Sequence, residues 1–357
     1  MAKINLSKIS HTYNPENSNP TYALNPFSLT WENGKRYAIL GPSGCGKTTM
    51  LNIVSGLVQP SKGKVLFDDR DVTDLKTEKR NISQVFQFPV IYNTMTVYDN
   101  LAFPLKCRDF KKDKIDERVK SVSDTLNLSD FLNFPARKLT ADQKQLISLG
   151  RGLVREDVAA VLMDEPLTVI DPDLKFRLRR NLKEINEQYK TTLVYVTHDQ
   201  NEAMTFADNI IVMDQGEIVQ IGLPKELFEK PKTTFVGYFI GSPAMNFFDS
   251  EVISDFEVKI GDFKFKTNSN LSKIKNKNVK LGIRSEFIKI GDNQKENLIP
   301  VNLDRVEDFG NFKLITAKMN GKVVKSKIDR ERSVSSAGLS LYFPPDKCCV
   351  YVNEKLV

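Results

Sequence analysis

A glycine-rich run, Gly41 to Thr48, has the spacing of a phosphate-binding loop. It fits G-x-x-x-x-G-K-[ST] and stands between an apolar run typical of a buried strand (36–40) and a predicted helix (49–54). Glycines let the backbone turn, so that successive N–H groups and the positive helix end face phosphate oxygens. Lys47 would reach the outer phosphates, and the Thr48 hydroxyl would complete a Mg²⁺ shell. This context disfavours the alternative, a glycine-rich turn that binds nothing.

Two carboxylates follow a second apolar run. Residues 158–163 lead into Asp164 and Glu165, as expected where a central parallel strand ends at an active site. Asp164 would hold Mg²⁺ through water. Glu165 would polarise the attacking water as a general base, a role worth about 10²–10⁴ in rate. Paired carboxylates after a strand are common on protein surfaces, but the preceding phosphate loop favours chemistry.

Two further polar side chains follow predicted strands. Gln87 comes after the strand 82–86 and could ligate Mg²⁺ or orient a water; a plain polar residue at a strand end is an equal alternative. His198 comes after the strand 192–196 and could hydrogen-bond the γ-phosphate or the attacking water. Taken alone, such a histidine is more often a structural cap.

Other predicted elements position these residues. Residues 3–9 and 27–31 predict strands of an outer sheet, joined by a polar loop from His11 to Pro20. Tyr13 in that loop could stack on a nucleotide base, or it could be a half-buried loop tyrosine. Gly56 is a suitable stop for the helix that follows the phosphate loop.

Helices are also predicted over about 96–126, from about 140 to 155, and over about 174–189. The second of these begins with Thr140 and Gln143, which match a capping box.

Composition limits the possible classes of protein. A chain of 357 residues exceeds one ordinary core, so two domains are expected. No apolar run reaches the length of a membrane-spanning helix, and the first residues lack a signal-peptide core, which predicts a cytoplasmic protein unless a partner holds it at a membrane. The net charge of +7 is scattered, which argues against a nucleic-acid partner. The four cysteines fit neither a zinc site nor a disulfide framework: Cys45, Cys107, Cys348 and Cys349.

Together and in this order, the motifs resemble those of the ATP-binding subunits of ABC transporters, over about residues 3–240. The matching segments are Gly41 to Thr48 for Walker A, Gln87 for the Q-loop, Ala160 to Glu165 for Walker B, Thr168 to Asp171 for the D-loop and His198 for the switch histidine. Tyr13 falls where the family stacks an aromatic ring on adenine. The resemblance implies ATP and Mg²⁺ as cofactors.

The implied site has four groups of residues. Nucleotide would be bound by Tyr13, Gly41, Pro42, Ser43, Gly44, Cys45, Gly46, Lys47, Thr48 and Thr49. Mg²⁺ would be held by Thr48, Gln87 and Asp164, and the catalytic residues would be Glu165, His198 and Gln87. The signature facing a partner's ATP would be Thr140, Ala141, Asp142 and Gln143, with Asp171 in the D-loop.

The implied fold is an α/β, ABC-type P-loop ATPase domain over 1–240, with a mixed sheet and a helical subdomain at about 90–157. A small all-β, OB-like (TOBE-type) accessory domain would follow over 241–357. Ile240 to Phe247 is similar to the junction in ATPases of maltose-type carbohydrate importers, and Val279 to Arg284 resembles part of their accessory barrel.

The resemblance also implies partners. Two ATPase subunits would sandwich ATP between the Walker motifs of one and the signature of the other. Two transmembrane permease subunits would dock near residues 88–98, and an extracytoplasmic solute-binding protein would act indirectly. The expected location is the cytoplasmic face of the inner (cell) membrane, as a peripheral subunit.

The signature departs from the family pattern L-S-G-G-Q, because this chain has Leu139-Thr140-Ala141-Asp142-Gln143. By the resemblance, Asp142 puts a carboxylate where the family's glycine N–H meets the partner-bound γ-phosphate. At 4 Å and an effective dielectric near 20, like charges repel by about 4 kcal/mol. Turned away from ATP, Asp142 instead gains about 0.3–1 kcal/mol from the helix dipole. We therefore expect an asymmetric heterodimer in which a paralogous subunit supplies an orthodox signature.

The runs 139–145 and 164–172 also look like the paired ATPases of bacterial glycerol importers. The main functional prediction is thus a Mg²⁺-ATPase that powers import of a small carbohydrate or polyol, with glycerol as the cargo. A regulatory subunit that binds ATP but barely hydrolyses it is the first alternative. A non-transport ATPase for DNA or ribosome work is disfavoured by the β-rich C-terminal region.

Overall fold

A computed structural model describes residues 2–16, 21–274, 278–291, 296–335 and 338–357. The chain divides into two compact units, of which the first ends at Pro224 and the second begins at Lys225. The domain boundary at residue 240 stays a prediction. Residues 17–20 of the predicted loop lie outside the described residues.

The first unit contains ten strands and six helices within its described residues. The strands are β1 (Ile4–His11), β2 (Leu24–Trp31), β3 (Arg36–Leu40), β4 (Lys62–Phe67), β5 (Arg70–Asp71), β6 (Ile82–Val85), β7 (Ala160–Asp164), β8 (Leu193–Thr197), β9 (Asn209–Asp214) and β10 (Glu217–Gly222). The helices are α1 (Lys47–Ser55), α2 (Val97–Lys106), α3 (Lys112–Thr125), α4 (Ala141–Leu153), α5 (Pro172–Tyr189) and α6 (Gln200–Phe206).

A six-stranded mixed sheet carries the predicted site. Its order is β10-β9-β3-β8-β7-β6, with β10 antiparallel to β9 and the other pairs parallel. Every residue of β7 and β8 is buried, which explains their continuous apolar sequence. Leu40 pairs with Thr197, and Asp164 pairs with Val196, so three neighbouring strands end side by side. The residues that follow β3, β7 and β8 therefore meet at one edge of the sheet.

A second sheet and the helices cover the two faces of this layer. The second sheet is antiparallel, with order β2-β1-β4-β5, which confirms the predicted outer sheet. One hydrophobic core joins this sheet, α1 and the six-stranded sheet, and another joins α2 to α5 and the six-stranded sheet. Gly150 of α4 lies against α2, where a Cβ atom would be 2.5 Å from a Leu101 methyl carbon. A glycine is thus required for these two helices to pack closely.

The second unit is built mainly of antiparallel strands. Two short helices precede them, α7 (Pro224–Glu229) and α8 (Thr234–Phe239). The strands are β11 (Asn246–Ser254), β12 (Glu257–Ile260), β13 (Phe263–Lys266), β14 (Asn278–Ile283), β15 (Lys289–Ile290), β16 (Leu298–Pro300), β17 (Asn302–Asp308), β18 (Phe312–Met319), β19 (Lys322–Asp329), β20 (Ser340–Tyr342), β21 (Cys349–Val352) and β22 (Lys355–Leu356). They form sheets of order β13-β12-β11-β14-β21-β22, β15-β20-β16 and β17-β18-β19.

Across the described ranges, no helix has both the length and the apolar character needed to cross a membrane. The four cysteines are all free thiols.

Candidate active site

The phosphate loop joins β3 to α1 through glycines in left-handed conformations. Gly44 has φ +80°, and nothing lies within 4 Å of the place where a Cβ would stand, so its outer face is open. Gly46 has φ +99°, and a Cβ there would lie 2.4 Å from the carbonyl oxygen of Ala23. Any larger residue at 46 would have a strained backbone conformation and would collide with the backbone of Ala23. The loop therefore presents its backbone directly to a ligand at the start of α1.

Lys47 is held in place by the loop itself. Its side chain is buried, with 6% of the residue exposed, and Nζ donates to the carbonyl oxygens of Gly41 and Pro42, both at 2.8 Å. An ammonium group has three N–H donors, so a third donor can reach a phosphate oxygen while the other two fix its position. The Cys45 sulfur lies 3.9 Å from Nζ, and burial raises the pKa of this thiol, which keeps it uncharged.

Asp164 lies at the end of β7, next to the first turn of α1. It is buried, and its carboxylate shares a side-chain hydrogen bond with Thr48. Burial raises the pKa of Asp164 above its ordinary value, while the hydrogen bond with Thr48 and the charge of Lys47 act in the opposite direction.

The oxygen donors near the loop fit a hard cation such as Mg²⁺, which prefers a few protein oxygens together with substrate phosphates. Asp164 and the Thr48 hydroxyl lie in hydrogen-bonding contact, and Gln87 lines the same pocket as Thr48. Among the described residues, no group of three histidine, cysteine, aspartate or glutamate side chains forms a metal cluster. A cation here would therefore rely on hydroxyl, amide and nucleotide oxygens besides one carboxylate.

Glu165 is oriented by three side chains from three segments. One carboxylate oxygen, Oε1, lies 3.1 Å from Nδ1 of His198. The other, Oε2, accepts a hydrogen bond from Nε2 of Gln87 at 3.2 Å and lies 3.4 Å from the Thr168 hydroxyl. Glu165 also has φ +44°, a left-handed conformation that costs a non-glycine residue roughly 1–3 kcal/mol. A carboxylate fixed in this way can accept a proton from a bound water.

The structure also bears on the alternatives for Gln87 and His198. Gln87 is more than a polar residue at a strand end, because its amide contacts Glu165. The cap of α6 is Asp199, whose carboxylate accepts from the N–H groups of Asn201 and Glu202. His198 is therefore not the capping residue, and its ring faces Glu165 instead.

One pocket of 590 Å³ gathers most of the predicted residues, within the range usual for small-molecule sites. Its lining residues are Tyr13, Ala23, Ser43, Gly44, Gly46, Lys47, Thr48, Thr49, Gln87, Glu165, Thr168 and His198. A larger cavity of 740 Å³ lies in the second unit, but lysine and acidic side chains line it in equal number and no phosphate loop borders it. The chemistry of the chain thus points to the smaller pocket.

Tyr13 stands at the rim of this pocket, with 59% of the residue exposed. Its hydroxyl lies 3.1 Å from that of Thr49, and the His11 ring packs edge-on against it at 4.5 Å between centroids. These contacts anchor the tyrosine without burying it.

The predicted signature and D-loop residues lie elsewhere. None of Thr140, Ala141, Asp142, Gln143 and Asp171 is among the described residues that line the pocket. Thr140 and Gln143 form the predicted capping box at the start of α4, with reciprocal bonds of 3.3 and 3.1 Å. Asp171 caps α5 by accepting from the N–H of Asp173 at 3.0 Å. Within this chain, these residues cap the first turns of α4 and α5 and do not line the pocket.

Two lining residues were not predicted as site residues. Ala23 forms part of the wall, and its small side chain gives no signal in the sequence. Thr168 bonds to the backbone oxygen of Glu165 at 3.0 Å as well as approaching its carboxylate. A hydroxyl three residues after the catalytic candidate could have indicated this contact.

A phosphate loop that shares one pocket with an oriented carboxylate defines a P-loop protein that binds and hydrolyses a nucleoside triphosphate. The ABC transporter family model matches residues 24–168, and the MalK OB fold domain model matches residues 241–288. The chain is 39% identical to the trehalose/maltose import ATP-binding protein of Thermococcus litoralis, over 84% of this chain and 85% of that protein. It is 35% identical to the sn-glycerol-3-phosphate import ATP-binding protein of Escherichia coli O157:H7, over 99% of each.

A solved structure gives the same result for the fold. The ATP-binding cassette MJ0796, in a dimeric post-hydrolysis state bound to ADP and Pi, is 28% identical and superposes with a TM-score of 0.56, over 62% of this chain and 98% of that one. The chain therefore belongs to the ABC transporter family, as an ATP-binding subunit in which an OB-fold domain follows the ATPase domain. It is an ATPase whose hydrolysis is coupled to transport, which confirms the predicted fold class and enzyme class.

Proposed function

We propose that this chain hydrolyses ATP in the 590 Å³ pocket and thereby powers an ABC importer of a small carbohydrate or polyol, with glycerol as the cargo. The observation that carries the proposal is the meeting of the phosphate loop, Gln87, Glu165 and His198 in that pocket. The two relatives above are named for import of trehalose/maltose and of sn-glycerol-3-phosphate, which supports a small polyhydroxylated cargo. Reconstituted transporter in vesicles, tested for ATP-dependent uptake of labelled glycerol and maltose, distinguishes the cargoes.

The triphosphate is bound by the loop residues 41–49. Backbone N–H groups at the start of α1 and the third donor of Lys47 contact its oxygens. Thr48, Gln87 and Asp164 would hold Mg²⁺, which would supply positive charge to neutralise the outer phosphates. These three side chains come from α1 and from the ends of two parallel strands, so their positions depend on the sheet.

Glu165 is the general base. Gln87 and His198 hold its two carboxylate oxygens, which directs the carboxylate towards a water placed in line with the γ-phosphate. With Nδ1 of His198 directed at Glu165, Nε2 on the opposite side of the ring can contact the γ-phosphate.

Tyr13 stacks on the adenine ring. Replacement of Tyr13 by Ala is expected to weaken ATP binding about 5- to 150-fold, because stacking of a base on an aromatic ring is worth about 1–3 kcal/mol. Tyr13→Phe keeps the ring and loses only the contact of its hydroxyl with Thr49, so it is the matched control and should bind ATP within a few-fold of the parent. Titration of the full chain with ATP measures both affinities. Equal affinity of Tyr13→Ala and Tyr13→Phe would contradict the stacking role.

The partners proposed are two transmembrane permease subunits, a second ATPase subunit and, indirectly, an extracytoplasmic solute-binding protein. Apolar side chains exposed after Gln87 support a docking surface there, and Phe88 is 71% exposed. The chain would act at the cytoplasmic face of the inner (cell) membrane as a peripheral subunit, and no nucleic acid takes part.

The second ATPase subunit is proposed to be a paralogue. Asp142 lies in the first turn of α4, where it has the favourable dipole position but also adds a negative charge near the proposed partner-bound ATP. We expect the purified chain to hydrolyse ATP slowly by itself and Asp142→Asn to raise this rate about tenfold or more, since removal of the charge relieves repulsion and each 1.36 kcal/mol is worth tenfold.

The control for this test is Asp130→Asn, which removes an exposed carboxylate from a short 3₁₀ turn before α4. It should leave the rate of the purified chain unchanged. A parent chain that dimerises with itself and hydrolyses ATP as fast as an assembled transporter would rule out the need for a paralogue.

The second candidate function is a regulatory subunit that binds ATP with little turnover of its own. Asp142 is the observation that favours it, because the charge would weaken the composite site formed by two copies of this chain. The oriented Glu165 favours the first function.

A further inference from the structure

A buried amide on α4 lies between the two segments that carry Gln87 and Glu165. This residue, Gln145, is 1% exposed. Its Nε2 donates to the carbonyl oxygen of Phe86 at 3.2 Å and to that of Pro166 at 2.9 Å.

These two acceptors border the catalytic pair. Phe86 directly precedes Gln87, and Pro166 directly follows Glu165. The side chains of Gln87 and Glu165 are hydrogen-bonded to each other at 3.2 Å. A primary amide has two N–H donors, and here each one bonds a different segment. Neither segment can move away from the other without loss of a hydrogen bond to this buried side chain, so Gln145 fixes the backbone separation across which Gln87 reaches Glu165.

The orientation of the amide follows from its surroundings. With the opposite orientation, Oε1 would face two carbonyl oxygens and could bond neither. In the present orientation, Oε1 is buried without a hydrogen-bond partner among the described residues. An unpartnered buried oxygen is unfavourable. An apolar residue would fill the same space without burying an unpartnered oxygen. What the amide adds is therefore its two hydrogen bonds to the backbone.

Other side chains on α4 hold the same segment further along. The Ser148 hydroxyl accepts from the N–H of Val90 at 3.3 Å. The Arg151 guanidinium donates to the Val90 carbonyl oxygen and lies 4.6 Å from the centre of the Tyr92 ring. The segment from Phe86 to Tyr92 is thus fixed to α4 at several points, and of the three side chains described here Gln145 also contacts the segment after Glu165.

We propose that Gln145 is a positioning residue for ATP hydrolysis: it sets the contact between Gln87 and Glu165 and so the orientation of the general base. The proposal rests on the roles given to Gln87 and Glu165 in the proposed function. Gln145 itself acts only through these two residues, because its donors are both used on backbone oxygens.

The test replaces Gln145 by Met, which keeps the length and volume of the side chain and removes both donors. In the full chain with its partner subunits, kcat for ATP should fall about tenfold, while KM and the affinity for ATP stay within twofold because the phosphate loop is untouched. The matched control is Gln84→Met on β6, where the lost bond is to the Asn52 side chain at 3.1 Å. Its kcat should be unchanged.

A double-mutant cycle separates positioning from general stability. In a Gln87→Ala background the contact between Gln87 and Glu165 is already lost. There, Gln145→Met should lower the single-turnover rate less than twofold. The same tenfold loss in both backgrounds would overturn the proposal. If Gln145→Met does not fold, Gln145→Asn takes its place in the cycle, since it keeps an amide that is too short to span both oxygens.

Glu165→Gln distinguishes the two possible failures. If turnover is unaffected by Glu165→Gln, the proposed function is wrong. If turnover is lost in Glu165→Gln but kcat of a folded Gln145→Met equals that of the parent, only the positioning role is wrong.

Discussion

Replacement of Glu165 by Gln is expected to lower ATP turnover by about 10²–10⁴-fold while ATP binding stays nearly unchanged. The amide has almost the same size as the carboxylate, but it cannot accept a proton from water. The phosphate loop joins β3 to α1, so binding of the triphosphate does not depend on residue 165. Steady-state ATPase activity of the assembled transporter and equilibrium titration with ATP measure the two quantities.

The matched control is Glu184→Gln on α5, where the carboxylate pairs with Arg180 and both side chains are exposed. Its activity should equal that of the parent, since exposed ion pairs contribute little to stability. Unchanged turnover in Glu165→Gln would favour the regulatory subunit over the catalytic one. A loss of ATP binding together with turnover would instead show that Glu165 supports the fold of the pocket.

Replacement of Lys47 by Met is expected to weaken ATP binding roughly 10- to 150-fold, because a hydrogen bond to a charged group contributes about 1.5–3 kcal/mol. Methionine keeps most of the buried stem but has no ammonium for the phosphates. Calorimetric titration of the full chain with ATP and Mg²⁺ gives the affinity.

The control for Lys47→Met is Lys64→Met, which removes an exposed lysine paired with Asp71 on the outer sheet. It should bind ATP as the parent does. The carbonyl oxygens of Gly41 and Pro42 lose a donor in Lys47→Met, so thermal unfolding of both variants checks that the loop keeps its stability. An affinity equal to that of the parent would mean that the loop amides alone bind the triphosphate.

Local patterns were sufficient to find the edge of the sheet at which the site forms. The apolar runs before the phosphate loop, before Asp164 and before His198 are adjacent buried strands with ends in register. Their sequences reveal this because strands covered on both faces are continuously apolar and parallel strands end at a common edge. The capping box at Thr140 was equally visible, since its two residues are only three positions apart.

Contacts across long stretches of chain were not visible in the same way. The two acceptors of Gln145 are 59 and 21 residues away in sequence, and no local pattern specifies which backbone oxygens an amide on α4 will meet. The left-handed backbone of Glu165 gives no signal either, because glutamate is not a residue type that favours this conformation. Both features arise only when the strands and α4 have packed together.

The helix α4 carries two residues that are proposed to act on two different nucleotide sites. Asp142, in the first turn of α4, belongs to the signature proposed to meet the ATP of a partner, and Gln145 follows less than one helical turn later. Over such a distance a helix of 13 residues moves as one rigid element, so a displacement of its first turn also displaces Gln145. In the proposed pair of subunits, α4 would therefore link the partner-bound ATP near Asp142 to the general base of this chain, so that this chain's own site would respond to loading of the partner's site.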